Sequence, residues 1–234
     1  MPRHIGIVAC SAEGAALCYR TICAEGAALL GPYAHPEVSL HGSSFAEYVE
    51  CLDRGDTAGI GDLMLASAAK LAAAGADFLI CPDNTIHRAV SYVQERSPRP
   101  WLHIAEVVAA EAKSRGYRRL GITGTRWLVD SEVYPERLEE RALEWARPTD
   151  PERDEIHRII MEELVRGVLR PEAASYVLGV VSRMKGAGCD AVVLGCTELP
   201  LIVNDTNSAL PTLDSTRLLA RAALRQAVDQ SVVR

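Results

Sequence analysis

Four polar clusters each follow a short apolar run and carry side chains that could do chemistry. Cys196 and Thr197 stand in Gly-Cys-Thr-Glu-Leu-Pro, just after the run Ala191–Leu194. A cysteine at a strand end, ahead of a helix start, can have its thiolate stabilised, whereas an average cysteine behaves as a small buried hydrophobic residue. The position of Cys196 therefore favours a reactive thiol over an inert one.

The second cluster is Pro-Asp-Asn-Thr, which contains Asp83, Asn84 and Thr85 and follows the run Phe78–Cys81. Asn and Thr side chains can donate hydrogen bonds to a carboxylate. Asp83 can act as the N-cap of the helix that follows.

The two remaining clusters are turns rich in small residues. Ser11 lies in Cys-Ser-Ala-Glu-Gly, and Thr125 lies in Gly-Thr-Arg. Such turns can present hydroxyl and N–H groups to an anion, or they simply connect a strand to a helix. Together the four clusters suit a small ligand that carries a carboxylate.

Strands and helices must position these clusters, and the two patterns alternate along the chain. Short runs rich in Ile, Val and Leu predict strands buried on both faces, at His4–Cys10, Val38–His41, Phe78–Cys81, Trp101–His103, Arg119–Thr123 and Ala191–Leu194. Amphipathic stretches predict helices, at Ala15–Leu30, Phe45–Ala74, Ile86–Gln94, Ile104–Arg115, Asp130–Ala146, Asp154–Leu169, Glu172–Gly186 and Thr216–Val228, with Asp130 and Asp154 as N-caps. This alternation predicts an α/β fold with mostly parallel sheets.

A faint internal repeat suggests that the chain forms two similar lobes. The segment 75–85 resembles 188–198, and 5–11 resembles 120–126, at nearly equal separations along the chain. The repeat places Asp83 opposite Cys196. We therefore expect lobes of residues 1–95 with 210–234 and of residues 96–209, each a mostly parallel sheet flanked by helices. Because ligands bind beyond the carboxyl ends of strands in such sheets, an active site is expected in a cleft between the lobes.

Composition excludes several classes of protein. The 234 residues carry a net charge of −6, and nucleic-acid binding needs a basic footprint. No apolar run reaches the ~20 residues of a membrane span, and the start of the chain reads as a core strand rather than a signal peptide. Seven cysteines without such a signal indicate free thiols, and their spacing fits no zinc site. These observations predict a cytoplasmic protein without a metal ion.

Several motifs resemble one known family, the aspartate/glutamate racemases that are independent of pyridoxal phosphate. The likeness covers nearly the full length and rests on Ile5-Gly-Ile-Val, Asn84-Thr-x-His87, Leu102-His-Ile, Gly121-Ile-Thr-Gly-Thr-Arg126, Tyr134-x-x-Arg-Leu, Glu163-Leu-x-x-Gly167, Gly195-Cys-Thr-Glu-Leu-Pro-Leu201 and Leu213-Asp-Ser-Thr216. The resemblance implies a cofactor-independent racemase or epimerase that acts on a small carboxylate or amino acid. Family members are often dimers, so a homodimer is compatible with it.

The resemblance also implies roles for individual residues. Family members usually place two cysteines on opposite faces of the substrate as general acid and general base, and Cys196 takes one of these roles. Arg166 falls where aspartate-specific members tend to carry a basic residue that holds the distal carboxylate. The other substrate-binding groups implied are Ser11, Asn84, Thr85, Thr125 and Thr197.

The sequence departs from the family pattern at two places. Asp83 stands where the first catalytic cysteine is usual, and Ala-Cys-Ser-Ala-Glu at 9–13 replaces the usual Gly-Gly-Met-Gly-Pro turn. Cys81 lies two residues before Asp83, where strand alternation buries it, so it is not a substitute for the missing cysteine.

These observations favour two-sided transfer of the Cα proton of a small acidic amino acid, by Cys196 and Asp83. The two directions are then expected to differ in rate. One alternative is that Asp83 pairs with a substrate ammonium or holds a helix and Cys196 acts alone, as in single-cysteine relatives such as a decarboxylase of the arylmalonate type or an isomerase of the maleate type. Another is an amino-acid-binding protein without catalysis.

Overall fold

Short runs of branched apolar residues form the parallel strands of two sheets. The structure, a computed structural model, describes residues 1–229. Within this range the strands are β1 (Ile5–Ala9), β2 (Val38–Gly42), β3 (Phe78–Ile80), β4 (Trp101–Leu102), β5 (Arg119–Thr123), β6 (Glu144–Ala146), β7 (Ala191–Leu194) and β8 (Thr212–Asp214). The strand orders in the described range are β2-β1-β3-β4 and β6-β5-β7-β8. The same order in both sheets agrees with the internal repeat.

Helices connect these strands. In the described range they are α1 (Ala12–Leu30), α2 (Phe45–Arg54), α3 (Thr57–Ala73), α4 (Val90–Gln94), α5 (Ile104–Ser114), α6 (Arg126–Val129), α7 (Pro135–Glu139), α8 (Asp150–Arg158), α9 (Pro171–Gly186) and α10 (Ser215–Val228). Shorter 3₁₀ turns cover Thr85–Ala89, Leu164–Arg166 and Leu199–Leu201, and a π-helical turn covers Ile159–Glu163. The predicted α/β class, with two mostly parallel sheets flanked by helices, is confirmed.

The chain divides into two compact units, one of Met1–Ile104 with the segment from Thr216, and one of Ala105–Ser215. The sequence placed these divisions at 95/96 and 209/210. The first lies later in the structure because β4 pairs with β3 and so belongs to the first sheet. The second lies later because β8 pairs with β7.

Three of the predicted helices differ in the structure. The stretch 45–74 forms two helices, because Gly55 adopts a left-handed conformation at φ +66° and Asp56 caps the next helix. The stretch 130–146 is not one helix, since it contains α7 and the edge strand β6. Asp130 ends α6 instead of starting a helix, and Asp154 lies inside α8, whose N-cap is Thr149.

The central strands supply the core of each unit. Every residue of β1 and β3 is buried, as is every residue of β7. At about 25 cal/mol per Å² of apolar area, this burial stabilises each sheet, and the parallel pairing of β1 with β3 and of β5 with β7 aligns the strand ends. No helix among residues 1–229 combines the length and the apolar character that crossing a membrane requires.

Candidate active site

In the first unit, the predicted residues lie at the carboxyl ends of two neighbouring strands. β1 and β3 are paired in parallel, Ser11 follows β1, and Asp83, Asn84 and Thr85 follow β3. Parallel strands end at the same edge of a sheet, so one edge of this sheet collects all four residues. Asn84 and Thr85 are buried.

Two of these side chains also organise the backbone. The Ser11 hydroxyl accepts the N–H of Gly14 at 3.3 Å and caps α1. Asp83 Oδ1 accepts the N–H of Thr85 at 3.1 Å, at the start of the 3₁₀ turn. The N-cap of this turn is Asn84, so Asp83 does not occupy the N-cap position considered for it, but it bonds to the first residue of the turn from one position earlier. This bond fixes the orientation of the carboxylate at the sheet edge.

The buried thiols near this edge are unsuited to proton transfer. Burial raises the pKa of the Cys81 thiol well above its ordinary value, and the nearby Asp83 charge raises it further. Burial also raises the pKa of Cys18. Cys81 is fully buried, as strand alternation predicts, so it does not replace the cysteine that Asp83 displaces.

His87 ties the same loop to the 3₁₀ turn. Its Nε2 lies 3.0 Å from the carbonyl oxygen of Cys81. Because a carbonyl only accepts, Nε2 carries the proton and Nδ1 is a bare acceptor. Within residues 1–229, Nδ1 has no hydrogen-bond partner, and the ring packs edge-on against His103 with centroids 4.6 Å apart.

Burial should make the stability of the protein depend on the protonation of His87. Desolvation lowers the pKa of His87 from 6.5 to about 4, against the opposing effect of the Cys81 carbonyl. Since the pKa is lower in the folded state, the unfolded chain binds the extra proton between these values, and stability falls as pH falls through that window. We expect the free energy of unfolding in urea to drop by about 2 kcal/mol more in the wild type than in His87→Gln between pH 7 and pH 4.5. Parallel pH curves for the two proteins would contradict this.

Tyr48 is a residue of this region that the sequence did not single out. The side chain is fully buried, and its hydroxyl has no hydrogen-bond partner within residues 1–229. Burial raises the pKa of Tyr48, and the neighbouring Cys81, Cys10 and Asp83 raise it further. No signal in the sequence marks Tyr48, because it lies among the apolar positions of α2.

A buried hydroxyl without a partner costs stability. We therefore expect Tyr48→Phe to raise the free energy of unfolding by about 1 kcal/mol. Tyr134 supplies the matched control: it is equally buried, but its side chain is hydrogen-bonded to Ser215, so Tyr134→Phe should lower the free energy of unfolding. Urea titration of both variants checks the pair, and an equal loss in both would show that the Tyr48 hydroxyl is paired.

In the second unit, the predicted residues again lie at the ends of neighbouring strands. β5 and β7 are paired in parallel, Thr125 follows β5, and Cys196 and Thr197 follow β7. The Thr125 hydroxyl accepts the N–H of Leu128 at 3.4 Å and caps α6. In place of the helix start expected after Cys196, the structure has the 3₁₀ turn Leu199–Leu201, which is too short to supply a long helix dipole.

A carboxylate contacts the Cys196 thiol instead. The sulfur donates to Glu198 Oε2 at 2.9 Å, and the Thr197 hydroxyl donates to the same oxygen at 2.7 Å. Thr197 and Glu198 are buried, whereas Cys196 keeps intermediate exposure. The two hydrogen bonds offset the cost of burying the Glu198 carboxylate. A thiol that can pass its proton to an adjacent carboxylate suits general acid and base chemistry.

The sequence analysis missed the role of Glu198, although its position two residues after Cys196 was a visible signal. It also missed the close packing at Gly195. A methyl group there would lie 2.5 Å from the carbonyl oxygen of Thr123 and from Leu128 Cδ2. Only glycine therefore allows the chain to pass β5 and present Cys196 at this edge.

Arg166 lies in the same unit at the end of an irregular helix. The π-helical turn Ile159–Glu163 and the 3₁₀ turn Leu164–Arg166 follow α8, and Gly167 ends the segment at φ +73°. The Arg166 side chain is exposed. Its predicted role as a clamp of the distal carboxylate stays a prediction.

Comparisons with known proteins identify the family of this chain. The model of the Asp/Glu/hydantoin racemase family matches residues 6–223. The crystal structure of a candidate Asp/Glu racemase from Yersinia pestis is 29% identical with a TM-score of 0.89, covering 97% of this chain and 100% of that one. An aspartate racemase homologue from Pyrococcus horikoshii OT3 is 28% identical with a TM-score of 0.83, covering 98% of this chain and 100% of that one. A broad-specificity amino-acid racemase from Bacillus subtilis (strain 168) is 22% identical over 160 residues, which are 67% of each protein. Because the family model spans nearly the whole chain, the protein belongs to the Asp/Glu/hydantoin racemase family and is an isomerase, an amino-acid racemase.

Proposed function

We propose that this racemase acts on a small acidic amino acid, similar to aspartate or glutamate, and moves its Cα proton with Cys196 and Asp83. The observation that carries the proposal is the hydrogen bond from the Cys196 thiol to Glu198 at 2.9 Å. It gives the cysteine a partner that can take up and return a proton. Asp83 supplies the second group, at the corresponding strand end of the first sheet.

Inversion at Cα requires one group to remove the proton and another to deliver one to the opposite face. When Cys196 is the base, its thiol proton first passes to Glu198. The thiolate then takes the Cα proton, and the electron pair of the C–H bond moves into the substrate carboxylate. Asp83, in its protonated form, delivers a proton to the other face. In the reverse direction the roles of Asp83 and Cys196 are exchanged.

The enediolate formed in this way carries extra negative charge, which hydrogen-bond donors stabilise. The candidate donors are neutral side chains, so they can hold a carboxylate without exchanging protons with the substrate. They are Ser11, Asn84, Thr85, Thr125 and Thr197. Arg166 is the candidate partner of the distal carboxylate, and its exposure leaves it able to reorient toward a ligand.

The names of the relatives define the compounds to be tested. The Yersinia protein is described as a candidate Asp/Glu racemase, and the Pyrococcus protein as an aspartate racemase homologue. The Bacillus relative is described as an amino-acid racemase of broad specificity. Both enantiomers of aspartate and glutamate should therefore be tested first, with neutral amino acids as comparison substrates.

The test is incubation of the purified protein with each enantiomer in heavy water. Cα deuterium is followed by NMR and inversion by chiral chromatography. We expect both exchange and inversion with an acidic amino acid. Because two enantiomers have equal free energies, kcat/KM must be equal in the two directions. Because Cys196 is a thiol and Asp83 is a carboxyl group, we expect kcat and KM to differ between the two directions while their ratio stays the same.

Two outcomes would contradict the proposal. Exchange without inversion would indicate that a single group acts on one face only. The absence of exchange with every acidic amino acid would remove this substrate class. Cys23→Ala is the matched control, since Cys23 has the same intermediate exposure as Cys196 and lies on α1, outside both clusters.

A further inference from the structure

Buried carbonyl groups lie within three residues before both proton-transfer residues, and side-chain donors satisfy them. A strand's last carbonyl groups have no ladder partner beyond the end of the pairing, and a buried carbonyl without a donor is costly. In the first unit, His87 Nε2 donates to the carbonyl of Cys81 at 3.0 Å. The Thr216 hydroxyl donates to the carbonyl of Pro82 at 3.5 Å. The next residue is Asp83.

The second unit has related contacts at β7, shifted by one residue. The Thr123 hydroxyl donates to the carbonyl of Val193 at 2.7 Å, and the Ser215 hydroxyl donates to that of Leu194 at 2.8 Å. The N–H of Gly195 donates to the carbonyl of Thr123 at 2.9 Å. The next residue is Cys196.

The two hydroxyl groups come from consecutive residues of the Asp-Ser-Thr motif. Ser215 and Thr216 begin α10, and both are buried. The chain passes from the second unit to the first between them. Each hydroxyl therefore bonds within its own unit. Capping α10 does not require these contacts, because a capping hydroxyl accepts N–H groups of its own helix, whereas these hydroxyls donate to loop carbonyls.

We propose that Ser215 and Thr216 are positioning residues, one for each proton-transfer group. Ser215 holds the end of β7 that presents Cys196, and Thr216, together with His87, holds the loop that presents Asp83. The inference rests on the proposed function of Cys196 and Asp83, because proton transfer depends on the placement of the reacting atoms. A displacement of about 1 Å can cost on the order of 10²-fold in rate.

The experiment removes each hydroxyl separately and measures exchange of each enantiomer in heavy water. Thr216→Val is expected to lower exchange of the enantiomer that depends on Asp83 by about tenfold, and to leave the other within about twofold. Ser215→Ala is expected to do the reverse. KM should change less than kcat in both variants, because neither hydroxyl touches the substrate. Which enantiomer depends on which group is assigned from Asp83→Ala and Cys196→Ala.

Conservative variants and a control separate positioning from general damage. Thr216→Ser and Ser215→Thr keep the hydroxyls and should restore each lost rate. Ser114→Ala removes an exposed hydroxyl that also donates to a carbonyl, that of Glu111 at 2.9 Å, and should change neither rate. Equal loss of both exchanges in Thr216→Val and Ser215→Ala, or no loss in either, would overturn the inference.

A readout without substrate separates this inference from the proposed function. The alkylation rate of Cys196 by iodoacetamide, followed by mass spectrometry of the digested protein, should change in Ser215→Ala and stay constant in Thr216→Val. If the wild type acts on no acidic amino acid but alkylation follows this pattern, the substrate is wrong and the role of Ser215 stands. Alkylation that is identical in all variants contradicts the role of Ser215, whatever the substrate.

Discussion

Cys196→Ala is expected to lower racemisation by about 10³-fold or more, while one enantiomer of the substrate still exchanges its Cα proton with solvent. Alanine removes the sulfur that donates to Glu198. Asp83 can still deprotonate the enantiomer whose Cα proton lies on its side. With no donor on the opposite face, Asp83 must return the proton itself, so deuterium enters without inversion.

The reciprocal variant should show the opposite selectivity. Asp83→Ala is expected to stop inversion and to preserve exchange of the enantiomer that Cys196 deprotonates. Asp83→Cys restores the pair of cysteines that the resemblance describes and should retain racemisation. A folded but inactive Asp83→Cys would indicate that the carboxylate contacts the substrate or maintains its bond to the N–H of Thr85, instead of carrying a proton.

Circular dichroism and urea unfolding of each variant establish that the fold is intact. Full turnover in Cys196→Ala would show that the site is assigned to the wrong residue. Loss of exchange with both enantiomers in a folded Cys196→Ala would show that Asp83 cannot act as a base. Either result identifies which of the two groups fails.

The strands that stand out most clearly in the sequence are those whose residues are buried on both faces. β1, β3, β5 and β7 occupy the middle of the sheets, and they carry runs of Ile, Val and Leu. The edge strands β2 and β4 were also predicted, although their residues are only partly buried or exposed, whereas β6 and β8 were missed. Each has three residues and lies at a sheet edge, where one side is open and polar residues are tolerated. The sequence of β6, Glu-Trp-Ala, carries no strand pattern of its own.

The helix boundaries that failed depended on single backbone positions. Gly55 ends α2 and Asp56 caps α3, and both residues lie inside one continuous amphipathic stretch. That periodicity hid the break, although both residues were visible in the sequence. Asp130 has the residue type of an N-cap, but it lies at the last turn of α6, because Thr125 already occupies the start of that helix.

Sequence motifs could locate the loops of the candidate site but not the contacts that hold them. The repeat placed Asp83 and Cys196 at equivalent strand ends, and the structure has them there. The bond from Cys196 to Glu198 depends on how the chain turns after β7. The bond from Thr216 to Pro82 joins residues far apart in the sequence. Neither contact follows from a periodic pattern, because each depends on tertiary packing.

Glu198→Gln is expected to lower kcat by about 10²-fold with little change in KM. Glutamine has the size of glutamate, and its amide oxygen can still accept from the Cys196 thiol and from the Thr197 hydroxyl. It cannot take up a proton, so Cys196 loses the group that converts it between thiol and thiolate. The exchange of the enantiomer that Cys196 deprotonates should fall, and the exchange that depends on Asp83 should persist. Kinetics in both directions and deuterium exchange measure these effects.

The matched control is Glu162→Gln, which neutralises an exposed carboxylate of the same unit that pairs with Arg158 at 3.6 Å and should leave kcat unchanged. Glu198→Asp tests the geometry, because the shorter side chain withdraws the carboxylate from the sulfur while keeping its charge. If proton uptake is the function of Glu198, the rate of Glu198→Asp should lie between that of the wild type and that of Glu198→Gln. If Glu198→Gln retains full activity, Glu198 only holds Cys196 and Thr197 in place. The proton of the Cys196 thiol must then leave by another route.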